Sequence, residues 1–380
     1  MSRLLFLTWN GAGNQPPAIA LAQELTVRGH EVTFAGYASQ RVRFDELGFD
    51  FRLLERADAA YPERPPPEGW MAALVDAVWA CPEQLADLTD ILDANSYDVV
   101  VVDCLMFGAL ALLEKLSVPV AVLVHSAPGP LAAPGDGMEQ LLLAPLNELR
   151  AQAGRPEVER LWDAWAPFPT LCASIDELDP LAQKVPPSFT YVGPLFERMP
   201  PSRWRSPWPS DDPRPLVLAS FSTGPAWDQT SRIRRTLCAL ADGRHRVLVT
   251  TSESDVEGLT VPGNATLLPH LPHAEVLPDA VLTVTHAGHG TVSASLAHGV
   301  PIVALPNPAA DQPALARRVA ELGAGYALDG ESAAAMDIAA AVDAVLADGS
   351  YATAARRLAE SIASSPGVRG AAALLERLAR

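Results

Sequence analysis

The sequence predicts an α/β protein with two doubly wound, Rossmann-like domains that face each other across a cleft. Short, continuous apolar runs alternate with amphipathic stretches, as expected for parallel strands covered by helices on both faces. This pattern occurs once in each half of the chain, and a segment dense in proline and tryptophan separates the halves. The length of 380 residues also suits two domains.

The first half starts with a strand and a helix joined by a glycine-rich turn. We predict buried strands at residues 3–8, 31–34, 98–102 and 118–124, and a helix over residues 16–28. Pro16 suits the first turn of this helix, and Gly29 follows its end. Alternation of strands and helices implies a parallel sheet with right-handed crossovers.

The second half repeats the pattern, with strands predicted at residues 216–220, 246–251, 281–285 and 301–305. The domain assignment is 1–195 for the first domain, 196–215 for a stiff proline-rich linker and 216–380 for the second domain. The last helices, near residues 351–363 and 369–378, could pack on the second domain or cross back to the first.

Composition excludes several classes of function. The formal net charge is −17, and no cluster of lysine and arginine offers the basic patch of a nucleic-acid-binding protein. The apolar run 104–113 is too short to cross a membrane, and the N-terminus lacks the pattern of a secretory signal. The four cysteines lack metal-ligand spacing, which fits a reduced cytoplasmic protein without a metal site. The oligomeric state is open, with a homodimer among the alternatives.

The first glycine turn, residues 11–16, follows the first strand and opens the first helix. It resembles a dinucleotide-binding fingerprint only weakly, because Pro16 stands where the third glycine permits close helix–strand packing. The second strand is also not followed by an acid that could hold a ribose hydroxyl. The sequence therefore argues against NAD or FAD at this turn.

A second glycine turn, residues 285–291, lies between a predicted strand and a helix that starts near Val292. Small residues permit close approach of a ligand, and a helix N-terminus presents free N–H groups and a partial positive charge. This is a candidate pyrophosphate site, in which His286 and Thr291 add donors. Asp311 and Gln312, after the next strand, can bind hydroxyl groups. The alternatives are a structural histidine and, for Asp311, a helix cap.

These motifs together resemble the GT-B-fold glycosyltransferases of family 1, in their antibiotic and natural-product branch. The donor signature of that family is matched by residues 286–291 (HAGHGT), 297–301 (AHGVP), 311–312 (DQ) and 317–319 (RRV). Its opening pattern is matched by residues 13–17 (GNQPP), by 28–32 (RGHEV), and by 98–102 followed by Asp103.

The resemblance implies an inverting transferase without a metal ion or other cofactor. A nucleotide sugar would bind mainly to the C-terminal domain and a hydrophobic acceptor mainly to the N-terminal domain. The backbone near Leu271 would hold the base of the nucleotide, and Asp311 and Gln312 would hold the sugar. The implied diphosphate contacts are Ser222, Thr223, His286, Gly288, His289, Gly290 and Thr291. The candidate acceptor contacts are Gly13, Trp70, Trp79 and Met106, of which the tryptophans could instead be core residues.

Two positions depart from the family pattern. Asn14 stands where the family has the histidine that acts as general base, oriented by an aspartate that aligns with Asp103. An asparagine cannot accept a proton near neutral pH, so four alternatives remain. Asp103 acts as base, His125 does, the acceptor needs little base assistance, or the protein no longer catalyses. We favour a less demanding acceptor assisted by Asp103. Asp103 could otherwise cap a helix near Leu105, and His125 could be a satisfied residue at a strand end.

The second departure is Ala294, where the family often has a glutamate that binds both ribose hydroxyls of UDP. A deoxyribose lacks the 2′-hydroxyl, so this change favours a dTDP-deoxysugar over a UDP-sugar. The preferred hypothesis is a glycosyltransferase acting on a natural-product aglycone. The alternatives are a non-catalytic sugar-nucleotide-binding partner and, with less support, a sugar-nucleotide epimerase.

Overall fold

A computed structural model describes residues 1–61, 70–202, 204–221, 229–252, 254–308 and 310–380, and the backbone alone at Trp70. The chain divides into two compact units. The first unit contains Met1–Arg198 together with Ser365–Arg380, and the second contains Met199–Ser364.

The first unit is built on a parallel sheet of seven strands. The sheet order is β3-β2-β1-β4-β5-β6-β7, so the chain reverses its direction of winding between the first and fourth strands. Ligands of such sheets bind where the winding reverses, beyond the carboxyl ends of the strands. The strands are β1 (Arg3–Leu7), β2 (Glu31–Gly36), β3 (Asp50–Leu53), β4 (Val99–Asp103), β5 (Val120–Val124), β6 (Thr170–Cys172) and β7 (Phe189–Tyr191).

Helices cover both faces of this sheet, and each face has its own apolar core. The helices are α1 (Gln15–Val27), α2 (Arg41–Glu46), α3 (Glu55–Ala60), α4 (Trp70–Leu74), α5 (Glu83–Ala94), α6 (Phe107–Leu113), α7 (Pro128–Ala132), α8 (Gly137–Gln152) and α9 (Leu161–Trp165). A π-helical turn, Val75–Trp79, follows α4. Gly29, with a φ of 85°, ends α1 as the sequence predicts.

The second unit has a parallel sheet of six strands in the order β10-β9-β8-β11-β12-β13. Its winding reverses between β8 and β11. The strands are β8 (Leu216–Ser220), β9 (Arg246–Thr250), β10 (Ala265–Leu268), β11 (Ala280–Thr285), β12 (Ile302–Ala304) and β13 (Gly325–Ala327). The helices are α10 (Thr230–Ala239), α11 (His289–Ala297), α12 (Gln312–Glu321), α13 (Ala335–Ala347) and α14 (Gly349–Ser364).

The segment expected to be a stiff proline-rich linker between the domains, 196–215, is mostly part of the second unit. Trp204 and Trp208 pack against one of its apolar clusters. The backbone N–H of Ser202 donates to a carboxylate oxygen of Glu275 over 2.6 Å. Tryptophan side chains bury large apolar areas, which explains why this proline-rich stretch is attached to the sheet domain.

The last helix, α15 (Gly367–Leu378), belongs to the first unit, which agrees with the alternative that the end of the chain crosses back to the first domain. Leu375 lies in the core beside α1, and Arg28 forms an ion pair with Glu376. His30 is hydrogen-bonded to the same carboxylate, and this bond together with the charge of Arg28 lowers the pKa of Glu376. In the described part of the chain, no helix has the length and apolar character that crossing a membrane requires.

Candidate active site

The turn between β11 and α11 lies where the winding of the second sheet reverses. Ala287 has a φ of 63°, a left-handed conformation that residues other than glycine rarely adopt. α11 starts at His289, three residues before the predicted start, and Gly288, the residue at its N-cap position, makes no side-chain capping hydrogen bond. The amides of residues 289–291 therefore form the first turn of a helix whose N-terminus suits an anion.

His286 lies directly under this turn. It is 8% exposed, and a Cβ added at Gly288 would overlap its Nε2 atom. Burial lowers the pKa of His286 to about 4, with a smaller contribution from the charge of Arg232, while a hydrogen bond to the Ser220 backbone opposes the change. The imidazole is therefore neutral near pH 7. It carries no charge of its own, and its single N–H already donates to the Ser220 carbonyl.

The end of β8 lies beside this turn in the sheet. The hydroxyl of Ser220 is 3.0 Å from Nε2 of His273, and Thr250 donates to the same hydroxyl over 2.8 Å. Ser222 and Thr223, which the resemblance places on the diphosphate, lie outside the described residues. The Leu271 side chain is buried, 3% exposed. The expected contact between the backbone near Leu271 and the base of the nucleotide stays a prediction.

Asp311 and Gln312 follow β12 at the same edge of the sheet. Asp311 occupies the position before α12 but makes no capping hydrogen bond, so the helix-cap interpretation of its carboxylate does not hold. The side-chain oxygen of Gln312 accepts a hydrogen bond from the Asn307 backbone over 3.1 Å. Ala310, just before them, has a φ of 57°.

The guanidinium of Arg232, on α10, is buried and contacts the loop that follows β12. It donates to the carbonyl oxygens of Leu305 and Pro306, both over 3.2 Å, and pairs with Glu331. Sequence reasoning missed Arg232, because an arginine within an amphipathic helix has no signal that distinguishes it from a surface charge.

Left-handed backbone outside glycine is concentrated in turns after strands. Among the described residues four non-glycine positions have it: Ala12 after β1, Ser252 after β9, Ala287 after β11 and Ala310 after β12. Such conformations cost about 1–3 kcal/mol each, and they are found mainly at ligand sites. Three of the four lie in the turns that the sequence analysis singled out.

In the first unit, Asp103 at the end of β4 is the point where several donors converge. One carboxylate oxygen, Oδ1, accepts from Nε1 of Trp9 and from the Leu105 backbone, each over 3.0 Å. The other, Oδ2, accepts from Nδ2 of Asn14 over 3.2 Å and lies 3.0 Å from Nδ1 of His125. Asp103 is 4% exposed. A buried carboxylate with four donors is well suited to orient other groups and poorly placed to contact an acceptor itself.

Asn14 has a structural role in this cluster. It is 2% exposed, and its Nδ2 also donates to the Trp9 carbonyl over 3.0 Å. Its Oδ1 accepts from the Gly11 backbone over 3.1 Å. Asn14 therefore closes the glycine turn and helps to fix Asp103. The sequence analysis did not include Trp9 among the candidate site residues. Its position directly after the first predicted strand is a signal that could have identified it.

His125 follows β5 and is more accessible than Asp103, with 13% of its side chain exposed against 3%. The imidazole pairs with Asp103, an arrangement compatible both with a satisfied residue at a strand end and with a catalytic group. Cys104 completes a group whose ligand atoms lie within 4.8 Å of one another. Both lone-pair regions of Oδ2 already face donors, so the arrangement fits a hydrogen-bonded pair better than a metal site.

The residues predicted to contact the acceptor differ in how far they are buried. Trp79 is 3% exposed and packs edge-to-face on Trp9, with ring centroids 5.8 Å apart. Met106 is also fully buried, so both side chains belong to the core in this structure and not to an open wall. Gly13 is exposed in the turn before α1. The side chain of Trp70 is outside the described part of the chain.

Two parallel doubly wound sheets, each with a polar cluster where its winding reverses, are the architecture of the GT-B fold, which confirms the predicted fold. Residues 234–378 match the family described as erythromycin biosynthesis protein CIII-like, C-terminal domain. The chain is similar to 4′-demethylrebeccamycin synthase of Lentzea aerocolonigenes, with 27% identity over 99% of each chain.

Solved structures give the same result. The calicheamicin glycosyltransferase CalG4 matches with a TM-score of 0.78 and 25% identity, covering 100% of this chain and 98% of that one. The glycosyltransferase VinC, solved in complex with dTDP, matches with a TM-score of 0.76 and 20% identity over 99% of each chain. The protein is a glycosyltransferase of the natural-product type.

Proposed function

We propose that this glycosyltransferase takes a deoxygenated sugar from a nucleoside diphosphate, dTDP in preference to UDP, and transfers it with inversion to a small hydrophobic natural-product aglycone. The relative from Lentzea is named as the synthase of 4′-demethylrebeccamycin, and the VinC structure contains dTDP. Ala294 supports dTDP, because a methyl side chain cannot accept a hydrogen bond from the ribose 2′-hydroxyl that UDP carries.

The observation that carries the proposal is the uncapped N-terminus of α11 above the buried, neutral His286. Backbone amides and the helix dipole can together stabilise the charge that develops on a leaving diphosphate. These groups offer a role that a divalent cation has in other enzymes, which supports a mechanism that does not need a metal ion.

The hydrogen bonds of Asp103 support inversion of the configuration at the anomeric carbon. A retaining enzyme that works through a covalent intermediate needs a carboxylate free to attack the sugar. Both oxygens of Asp103 are instead engaged by donors in a buried cluster. A single displacement, in which the acceptor attacks the anomeric carbon directly, suits this arrangement.

The main test is product formation. Wild-type protein, a panel of dTDP-sugars and aromatic acceptors should give glycosylated product by mass spectrometry, unchanged by EDTA and with inverted anomeric configuration by NMR. By titration calorimetry, Thr291→Ala and His286→Ala should each weaken dTDP binding about tenfold, or ~1.4 kcal/mol. Unchanged affinity in both variants would refute the diphosphate site.

The preference for dTDP has its own test. Ala294→Glu should strengthen UDP binding relative to dTDP, because the new carboxylate can accept from both ribose hydroxyls. A Kd ratio that does not move would remove Ala294 from the choice of nucleotide.

A non-catalytic sugar-nucleotide-binding partner is the second candidate, and the buried Asn14 in the position of the family's base favours it. Tight dTDP binding without product across a broad panel would select this alternative.

A further inference from the structure

We propose that His125 is the general base of the reaction and that Asp103, Asn14 and Trp9 position it. This inference rests on the proposed transfer to an acceptor hydroxyl. The family's base position is occupied by Asn14, whose amide cannot accept a proton. For an acceptor hydroxyl that needs a base, another residue of the same sheet edge has to take the proton.

The geometry singles out His125 in the described part of this cluster. Its Nδ1 lies 3.0 Å from Oδ2 of Asp103. An ionised carboxylate only accepts hydrogen bonds, so Nδ1 carries the proton and Nε2, across the ring, has the lone pair. A carboxylate that orients an imidazole and stabilises its protonated form is the arrangement of an activated base.

Exposure distinguishes the roles of the three polar residues. Asn14 and Asp103 are nearly inaccessible, whereas His125 reaches the surface of the cluster. Trp9 fixes the opposite oxygen of Asp103 and is itself fixed by Trp79. The carboxylate is thereby held from β1, β4 and β5 at once, and these strands are neighbours in the sheet.

The proposed step moves one proton, forms one bond and breaks one bond. Nε2 of His125 takes the proton of the acceptor hydroxyl as the acceptor oxygen forms a bond to the anomeric carbon. The bond from that carbon to the diphosphate oxygen breaks, and its electron pair leaves with the diphosphate. The imidazolium that results lies beside the Asp103 carboxylate.

The first experiment compares two acceptors of similar shape and different acidity, 4-nitrophenol and 4-nitrobenzyl alcohol, with a dTDP-sugar that the wild type uses. His125→Gln keeps a side-chain amide near Asp103 but removes the base. We expect kcat to fall by about 10²-fold or more with the alcohol and by less than about tenfold with the phenol, which ionises readily. The Kd for dTDP should not change.

His30→Gln is the matched control, because His30 pairs with Glu376 at the amino ends of the strands. It should leave both rates within about twofold. An equal loss with both acceptors in His125→Gln would indicate a structural role, and no loss would exclude His125 as the base. Either result overturns the proposal.

The second measurement needs no substrate. In ¹⁵N NMR spectra of the full chain, His125 should have a protonated Nδ1 and an unprotonated Nε2, and Asp103→Asn should disturb this tautomer. A proton on Nε2 of the neutral ring would overturn the assignment. Wild-type turnover reports on the proposed function, whereas the tautomer reports on His125 alone, so the two proposals can fail separately.

Discussion

At the scale of single residues, Gly288 determines how the turn before α11 is formed. A methyl group at this position would overlap Nε2 of His286, so the ring and the turn could not both keep their places. We expect Gly288→Ala to weaken dTDP binding about tenfold, or ~1.4 kcal/mol, in titration calorimetry. Gly263→Ala is the control, because an added Cβ there meets no atom within 4 Å. Equal affinities would contradict the placement of the diphosphate.

His286 also makes the stability of the second unit depend on pH. Its pKa is lowered from 6.5 to about 4 by burial, so between these values the unfolded chain binds a proton that the folded chain does not. The contribution of His286 to the free energy of unfolding is therefore constant above about pH 7 and decreases as the pH falls from about 6.5 to about 4. The full effect for one such histidine is on the order of 3 kcal/mol.

His286→Asn should remove this dependence in part, since His273, whose pKa is also lowered to about 4 by burial, remains. The measurement is urea unfolding at several pH values between about 7 and 4.5. His298→Asn, at an exposed position after α11, is the control and should keep the wild-type slope. The same slope in all three proteins would mean that the folded state binds a proton at His286.

At the scale of elements, the sequence predicts best the strands that are continuous apolar runs. β1, β4, β5 and β8 lie within two residues of their predicted ends. Five strands of three or four residues were not predicted: β3, β6, β7, β10 and β13. All except β6 are edge strands and only partly buried, so they lack a continuous apolar run. The start of α11 was misplaced by three residues because its first turn contains glycine and histidine, which have weak helix propensity. That first turn is the part that suits an anion.

The polar clusters were predictable only in part. Sequence reasoning selected Asp103, His286 and Asp311 from their places after strands. The family resemblance related Asn14 to Asp103, but nothing in the sequence paired Asp103 with His125, which is 22 residues away along the chain. The sheet order places β1, β4 and β5 side by side, and this order depends on packing over both faces of the sheet.

α10 provides a test of how one element positions another. Arg232 donates to two carbonyl groups of the loop after β12 and is 5% exposed. Arg232→Met would leave these carbonyls without a charged donor, at a cost of about 2 kcal/mol in the free energy of unfolding. We also expect weaker dTDP-sugar binding, since Asp311 and Gln312 follow this loop.

Arg234→Met is the control for α10, because Arg234 is exposed on the same helix. Urea unfolding and calorimetry should give wild-type values for this variant. If both variants bind dTDP-sugar as the wild type does, Arg232 does not position the loop.

At the scale of the whole molecule, the last helix, α15, belongs to the same unit as the first strand and packs on α1. Leu375 is 1% exposed in that core, and Arg28 and His30 both contact Glu376. Leu375→Ala should destabilise the first unit by about 2–4 kcal/mol, through lost apolar contact and the cavity left behind. Amide hydrogen exchange should accelerate in α1 and β2, while α11 and β12 keep their protection.

Met336→Ala is the matched control, since that side chain is 77% exposed on α13 and its loss should leave both units unchanged. Faster exchange in the second unit alone would show that the final helix stabilises the second unit and not the first.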